Sequence, residues 1–309
     1  YRRQRQMCIR DRSYKVKNSV RMRLARRRVL QAKACACQRA NSSKATICSN
    51  LFEKEIKMSS VINISFSPTG SSLKAAEQIS EAFDYEKRTI DLCKEITDEV
   101  NIGRENVCIF SMPCYGGRIP ETAVQRLLHI HGSNTPAVVC VTFGNRAYED
   151  ALLELADCVE ANGFKVIAGC AVATEHNIMH VFGTGRPDDM DREQIKKFAA
   201  AAAKKAAACD LDNRPEIPGQ RPYKEKHSKV MPILVGEECN NCGLCEHECP
   251  VHAISTDGKK TDEKLCINCM RCIDICPNKC RKLPDDIVTS LVSRLKNVCS
   301  GRKNNEFFI

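Results

Sequence analysis

A chain of 309 residues is long enough for about two domains, and its 43% hydrophobic content can build an ordinary core. No apolar run approaches the roughly 20 residues that a membrane-spanning helix needs; with 21 cysteines and no secretory leader read, the chain is expected in a reducing cytoplasm, not as a disulfide scaffold. The net charge of +10 does not argue for nucleic acid, because residues 1–57 hold 17 Lys/Arg against 3 Asp/Glu and the remainder is net acidic, 31 against 35.

Residues 1–57 lack sustained periodicity and a Met at position 1. They are read as lying outside the fold, either as non-native translation, with Met58 the better start, or as a basic disordered arm. Their cysteines are not counted as ligands. From Met58 the pattern alternates between strand and helix. Apolar strands are expected at 61–66, 107–112, 137–143 and 164–173, with a weaker strand at 88–92. Helices are expected at 71–83, 121–130 (opened by Pro120), 147–161 and 192–209, the last with Asp188, Asp189 and Asp191 at its positive end. Five strands with helices between them predict an α/β fold, a five-stranded doubly wound parallel sheet over 58–211. Near-continuous apolar strands fit burial on both faces.

Three loops leave the C-terminal ends of these strands, where open parallel sheets bind ligands. Ser67-Pro68-Thr69-Gly70-Ser71-Ser72 combines hydroxyls, a glycine and a helix N-terminus into a pocket of neutral donors for a monoester phosphate. It has neither the Lys of a P-loop nor the G-x-G-x-x-G of a dinucleotide site. Pro113-Cys114-Tyr115-Gly116-Gly117-Arg118 offers flexible backbone beside an aromatic face, and Phe143-Gly144-Asn145-Arg146 is a third glycine-bearing strand end. Each loop taken singly is also what capping and turning would produce. Glu175, His176 and His180 follow the fifth strand as proton donors or as structural groups, and Arg118 and Arg146 as anion-steering or plain surface cations.

Pro215, Pro218, Pro222 and Pro232 punctuate a charged stretch, 212–232, read as a linker. Then comes the strongest signal. Cys239-x2-Cys242-x2-Cys245-x3-Cys249-Pro250 is followed by Cys266-x2-Cys269-x2-Cys272-x3-Cys276-Pro277. In such a run three thiolates curl round one corner of a 4Fe–4S cubane and the fourth ligates the other cluster. The expected sets are therefore Cys239, Cys242, Cys245 and Cys276 for one cluster, and Cys266, Cys269, Cys272 and Cys249 for its partner. Gly243 and Asn268 are placed to turn amides toward the sulfurs. A zinc ribbon uses Cys-x2-Cys pairs but not this repeated third and fourth cysteine. The other cysteines of the body read as small buried hydrophobes, with Cys114 and Cys280 set apart by their neighbours. A short amphipathic helix from Pro284 shows Ile287, Leu291, Leu295 and Val298 on one face, and the residues from Gly301 are expected to fray.

The first loop is similar to the flavodoxin phosphate loop, T/S-x-T-G-x-T/S. The Tyr115-Gly116-Gly117-Arg118-Ile119-Pro120 and Gly144-Asn145-Arg146-Ala147-Tyr148 loops resemble those of fused flavodoxin–ferredoxin proteins of anaerobic bacteria. The resemblance covers 58–283. It implies a flavodoxin-like domain followed by a small α+β two-cluster ferredoxin domain at 233–283, with 284–309 as helix and tail. It implies FMN, with phosphate on Ser67, Thr69, Gly70, Ser71 and Ser72 and the ring near Tyr115, Gly116, Gly117, Gly144 and Asn145. The chain has no Trp to flank a flavin. The expected role is electron transfer between two 4Fe–4S clusters and FMN, with redox proteins as partners and neither nucleic acid nor membrane. The alternatives are a flavin-dependent reductase of a small acceptor and a ferredoxin whose flavodoxin-like domain no longer binds FMN.

Overall fold

The computed structural model describes residues 58–226 and 230–309. The reading of 1–57 as a segment outside the fold lies outside the described residues.

Strand β1 (Ser60–Ser65) is buried along its whole length. It runs into α1 (Ser71–Ser80), whose Ala75, Ala76 and Ile79 lie on the buried side. Next come the charged strand β2 (Glu86–Asp91), the short β3 (Val100–Ile102) and the buried β4 (Asn106–Pro113). Helix α2 (Glu121–Leu127) is preceded by Pro120 in extended conformation, and β5 (Ile130–Gly132) follows it. Strand β6 (Thr135–Phe143), helix α3 (Ala151–Ala161), strand β7 (Phe164–Ala173) and helix α4 (Asp189–Ala207) complete the alternation.

The parallel strands lie in the order β2-β1-β4-β6-β7. Counting only these five, that is 2-1-3-4-5, the flavodoxin-like order, which puts the switch point between β1 and β4. Successive strand residues point to opposite faces, so each strand feeds two cores. Ile62 and Ile64 join Phe110, Met112, Val139, Leu152 and Leu155 on one side. Val61 joins Ile79, Val107, Ile109, Ile195 and Phe198 on the other. Each such fully buried side chain contributes about 1.5–3 kcal/mol. Charged β2 closes one edge of the sheet, as a strand with a solvated face can.

After α4 the chain does not hang free. Ile217 is buried in the first core, and Gly219 lies so close to Leu153 that a Cβ would stand 2.8 Å from it. The Gln220 and Lys224 amides donate to the two Asp150 carboxylate oxygens at 2.9 and 2.7 Å. The stretch expected as a linker is thus strapped along α3 through backbone donors, which composition does not reveal.

The cysteine module is framed by β8 (Leu234–Val235), the single turns α5 (Leu244–His247) and α6 (Arg271–Asp274), and β9 (Arg281–Lys282), which pairs antiparallel with β8. Helix α7 (Asp285–Cys299) follows, and then β10 (Glu306–Phe308).

Three expectations need correction. The helix expected to reach residue 130 stops at Leu127, because Ile130 pairs with Val100 in a small parallel ladder. The helix expected from 147 begins at Ala151. The expected frayed end is instead an ordered strand: β10 pairs antiparallel with β7, Phe307 opposite Cys170, and Phe307 packs against Phe198 with ring centroids 5.2 Å apart.

Candidate functional site

The eight cysteines of the two runs divide into two cups, and the division is crossed. Cys239, Cys242 and Cys245 share one cavity with Cys276, while Cys266, Cys269 and Cys272 share another with Cys249. Each run bends three sulfurs round one corner, makes one helical turn and delivers its fourth cysteine to the other cup. The bend depends on left-handed residues: Asn241 and Gly243 have φ of 54° and 75°, and Asn268 and Met270, at matching places in the second run, 53° and 63°. Such residues turn backbone N–H groups inward. Amides of Asn268 and Arg271 face the sulfurs of Cys266 and Cys269, and the Ala253 N–H donates to Cys249 Sγ at 3.3 Å. Gly243 and Asn268 are legible in the sequence for this role; Met270 is not.

Each cup is a small cavity lined by its cysteines. Among the described residues no three His, Cys, Asp or Glu side chains close on the position of a single ion. Two four-cysteine cups built from Cys-x2-Cys-x2-Cys runs match cubane ligation, which the Cys-x2-Cys pairs of a zinc ribbon do not. Burial pushes the Cys269 thiol up to about 12, with neighbouring thiols adding to it and the Arg271 amide opposing. Positive iron would offset that cost, since metal charge is what deprotonates a coordinating thiol. A second observation fits a net-negative guest. Arg281 is only 2% exposed. It donates to the Gly258 carbonyl, to Thr261 Oγ1 at 3.0 Å and to Cys245 Sγ at 3.6 Å, and it also reaches Cys272 of the other cup. No carboxylate pairs with it among the described residues, and its Nε is buried without a partner. A cation so placed suits negative charge in either cup.

A third, larger cavity of about 1130 Å³ opens where the switch-point loops meet the cysteine module and α7. Of the residues expected to hold FMN, Ser67, Thr69, Ser71, Ser72, Tyr115, Gly116 and Gly144 line it. Ser67 Oγ accepts the Leu73 N–H at 2.9 Å, which shapes the loop, while the first amides of α1 have no acceptor within the helix. Gly144 is required: a Cβ there would stand 2.6 Å from the His176 ring. Neutral donors and an aromatic residue on one cavity wall are the chemistry that a flavin mononucleotide uses.

The remaining expected contacts are placed elsewhere. Gly70 (φ 84°) sits at the start of α1, and Gly117 is packed against Glu149; neither lines the cavity. The Asn145 side chain donates to the carbonyls of Cys299 (2.7 Å) and Gly301 (2.8 Å), so it holds the C-terminal strand instead of a ring. Arg118 forms a fork on Glu154 at 2.7 and 2.6 Å and lies over the Tyr223 ring; Arg146 pairs with Glu149. Both are structural. Glu175 pairs with His180. His176 lines the cavity, and its Nδ1 accepts the amides of Ile178 and Met179 at 3.1 and 3.2 Å. Burial, with His180 and Arg146 nearby, lowers it to about 4, so the ring is neutral near pH 7 with its proton on Nε2. Cys114 also lines the cavity, and burial pushes its thiol up to about 12.

Residues 232–255 and 263–281 match the family described as 4Fe-4S binding domain. Ferredoxin-3 of Chlorobaculum tepidum is 40% identical over 58 residues, 16% of this chain and 94% of that protein. Through this module the chain belongs to the ferredoxins. A polyferredoxin-like protein of Methanocaldococcus jannaschii is 33% identical over 72 residues, and the chain spans 32% of its length. Flavodoxin 2 of Bacillus cereus overlays 48% of this chain and 99% of its own at 16% identity and a TM-score of 0.35. The flavodoxin-like assignment of the first domain rests on its strand order and switch-point loops. The chain joins a flavodoxin-like fold to a ferredoxin-type 4Fe–4S module.

The ferredoxin module is seated on the flavodoxin-like domain by arginines. Arg126 of α2 is buried and donates to the Leu92 carbonyl at 2.6 Å and to that of Pro250, next to Cys249, at 2.5 Å. Arg271, between Cys269 and Cys272, reaches back to the Pro68 carbonyl of the first loop at 3.2 Å and pairs with Glu248. These residues were not legible as functional in the sequence. Their role depends on which carbonyls come within reach after folding.

Proposed function

We propose that the chain is an electron carrier joining two 4Fe–4S clusters to one FMN, with the cluster of Cys249, Cys266, Cys269 and Cys272 next to the flavin and the other remote from it. The observation that carries this reading is a shared wall: Cys266 lines the same cavity as Ser71, Tyr115 and Gly144. Leu265 and Ile267, on either side of that cysteine, line it too, so the wall beside Cys266 is apolar. When bound, the flavin supplies two-electron storage with one-electron release, and the clusters pass electrons singly.

The chain's residues bind and orient. Hydroxyls and amides at the start of α1 hold the phosphate end, and Tyr115 supplies an aromatic face. The neutral His176 can donate a hydrogen bond from Nε2 into the cavity. Partners are proposed to be redox proteins in the cytoplasm; no helix among the described residues is long and apolar enough to cross a membrane.

One observation favours a second reading, a reductase of a small acceptor. The cavity, about 1130 Å³, exceeds the 300–1,000 Å³ or so that encloses one drug-sized ligand, and Ile287, Leu291 and Leu295 of α7 give it an apolar side.

Anaerobic purification followed by iron, sulfide and flavin analysis tests the proposal. About eight irons, eight sulfides and one FMN per chain are expected. Iron and sulfide without flavin would leave a ferredoxin whose partner domain is empty and would sink the carrier scheme. Saturable turnover of a quinone or nitro compound would favour the reductase.

A further inference from the structure

The two cysteine runs are repeats in their ligand spacing, and they differ in cysteine content at one pair of matching positions. Each fourth ligand is followed by Pro, two further residues and a common bend: Cys249-Pro250-Val251-His252-Ala253 in the first run, Cys276-Pro277-Asn278-Lys279-Cys280 in the second. His252 and Lys279 share a left-handed φ of 50°. The first run then has Ala253, which offers only its amide to Cys249 Sγ. The second has a thiol. Cys280 lines the cavity of Cys239, Cys242, Cys245 and Cys276, so that cup has five cysteines where its twin has four. Cys280 Sγ lies 3.4 Å from Cys276 Sγ, and the residue is 8% exposed. Its backbone is fixed independently of any cluster, because the Cys280 carbonyl accepts the Gly236 N–H at 2.8 Å at the end of the β8–β9 ladder.

We propose that Cys280 is a reserve ligand of this cluster, able to take an iron in place of Cys276; this rests on the two-cluster reading above. The two sulfurs are close enough that a side-chain rotation exchanges them without moving the backbone. In the exchange the iron bond to the Cys276 sulfur breaks and one to the Cys280 sulfur forms. The proton of the Cys280 thiol passes to the departing Cys276 thiolate. No electron moves, and no other reactant is needed. The device lets the remote cluster survive loss or oxidation of one ligand, and its twin, with Ala253, has no such cover.

The test compares full-length wild type with Cys276→Ala, Cys280→Ala, the double variant and Cys242→Ala, all purified anaerobically. Iron and sulfide are measured, and dithionite-reduced samples are read by electron paramagnetic resonance. Cys280→Ala and Cys276→Ala should each keep the wild-type iron and sulfide, the latter with an altered signal from one cluster. The double variant, and Cys242→Ala despite its intact Cys280, should each hold about half. Wild type with two clusters beside Cys276→Ala with one overturns the reserve ligand alone. Wild type without iron and sulfide overturns the cluster reading as well. Far-UV circular dichroism checks folding; if the alanine variant is unfolded, Cys276→Ser, close in volume, is read in its place against Cys276→Ser/Cys280→Ala, and equal iron in the two overturns the proposal.

Discussion

Arg281 shows how much one side chain can matter between two redox centres. Its guanidinium reaches a ligand of each cup and meets no carboxylate among the described residues. A reduced cluster carries one more negative charge than an oxidised one, so a nearby cation favours the reduced form. A charge-assisted hydrogen bond contributes about 1.5–3 kcal/mol, and for one electron about 59 mV corresponds to a tenfold change. Arg281→Gln should therefore make both cluster potentials more negative, by on the order of 100 mV. A redox titration followed by electron paramagnetic resonance measures this, and unshifted potentials with intact clusters would refute it. The sequence names the eight ligands by spacing, yet Arg281 stands among other basic residues with nothing to mark it. Asn145 teaches the converse. Its place at a strand end suggests a ring contact, but its amide has been claimed by the Cys299 and Gly301 carbonyls.

At the scale of the element, the C-terminal strand is the clearest departure from pattern. Residues 301–309 have too little periodicity to announce a strand, and β10 exists because β7 presents an unpaired edge. The buried Arg186–Asp191 pair, 2.6 Å apart, is completed from this tail: Arg302 reaches Asp191 at 2.7 Å, and Asn305 bridges Asp191 (2.8 Å) to the Ala173 amide (2.9 Å). Asp191 also closes the capping box of α4 with Asp188. The sequence places these aspartates at the helix start for their charge. That one of them becomes a buried junction depends on a segment more than a hundred residues away in the chain. Deleting residues 302–309 should cost roughly 3–5 kcal/mol, the usual loss when a buried charge network is opened. Urea unfolding of the flavodoxin-like domain measures the loss. Light scattering should also detect self-association through the bared β7 edge; an unchanged midpoint would show the strand to be ornamental.

For the whole molecule, the decisive quantity is how firmly the ferredoxin module holds its place over the switch-point cavity. Arg126 joins the two by bonding carbonyls on both sides, and the stretch 214–226 is tied along α3 instead of swinging. Arg126→Ala leaves two buried carbonyls unpaired, at about 1–3 kcal/mol each. The variant should keep its iron, sulfide and flavin while electron exchange between flavin and clusters slows. Hydrogen exchange should quicken in the loop around Pro250. Stopped-flow reduction of the flavin through the clusters reads the first effect, and wild-type rates together with wild-type protection would rule out this clamp.

Two kinds of information can be separated here. Spacing of cysteines, apolar alternation and the glycine-bearing strand ends are local, and local rules of cluster ligation, pleat and turn geometry act on neighbours in the chain; from them the sequence by itself determined the sheet, the crossed cysteine sets and the face where a ligand belongs. Contacts between groups far apart in the chain follow no such rule. Only the tertiary structure decided that Cys266 shares a wall with the flavin-type cavity, that Arg281 stands between the cups, and that the last residues complete the sheet. The physical reason is that a buried donor or cation takes whatever acceptor the packed fold brings within 3 Å or so, and that partner has no signature in the residues beside it.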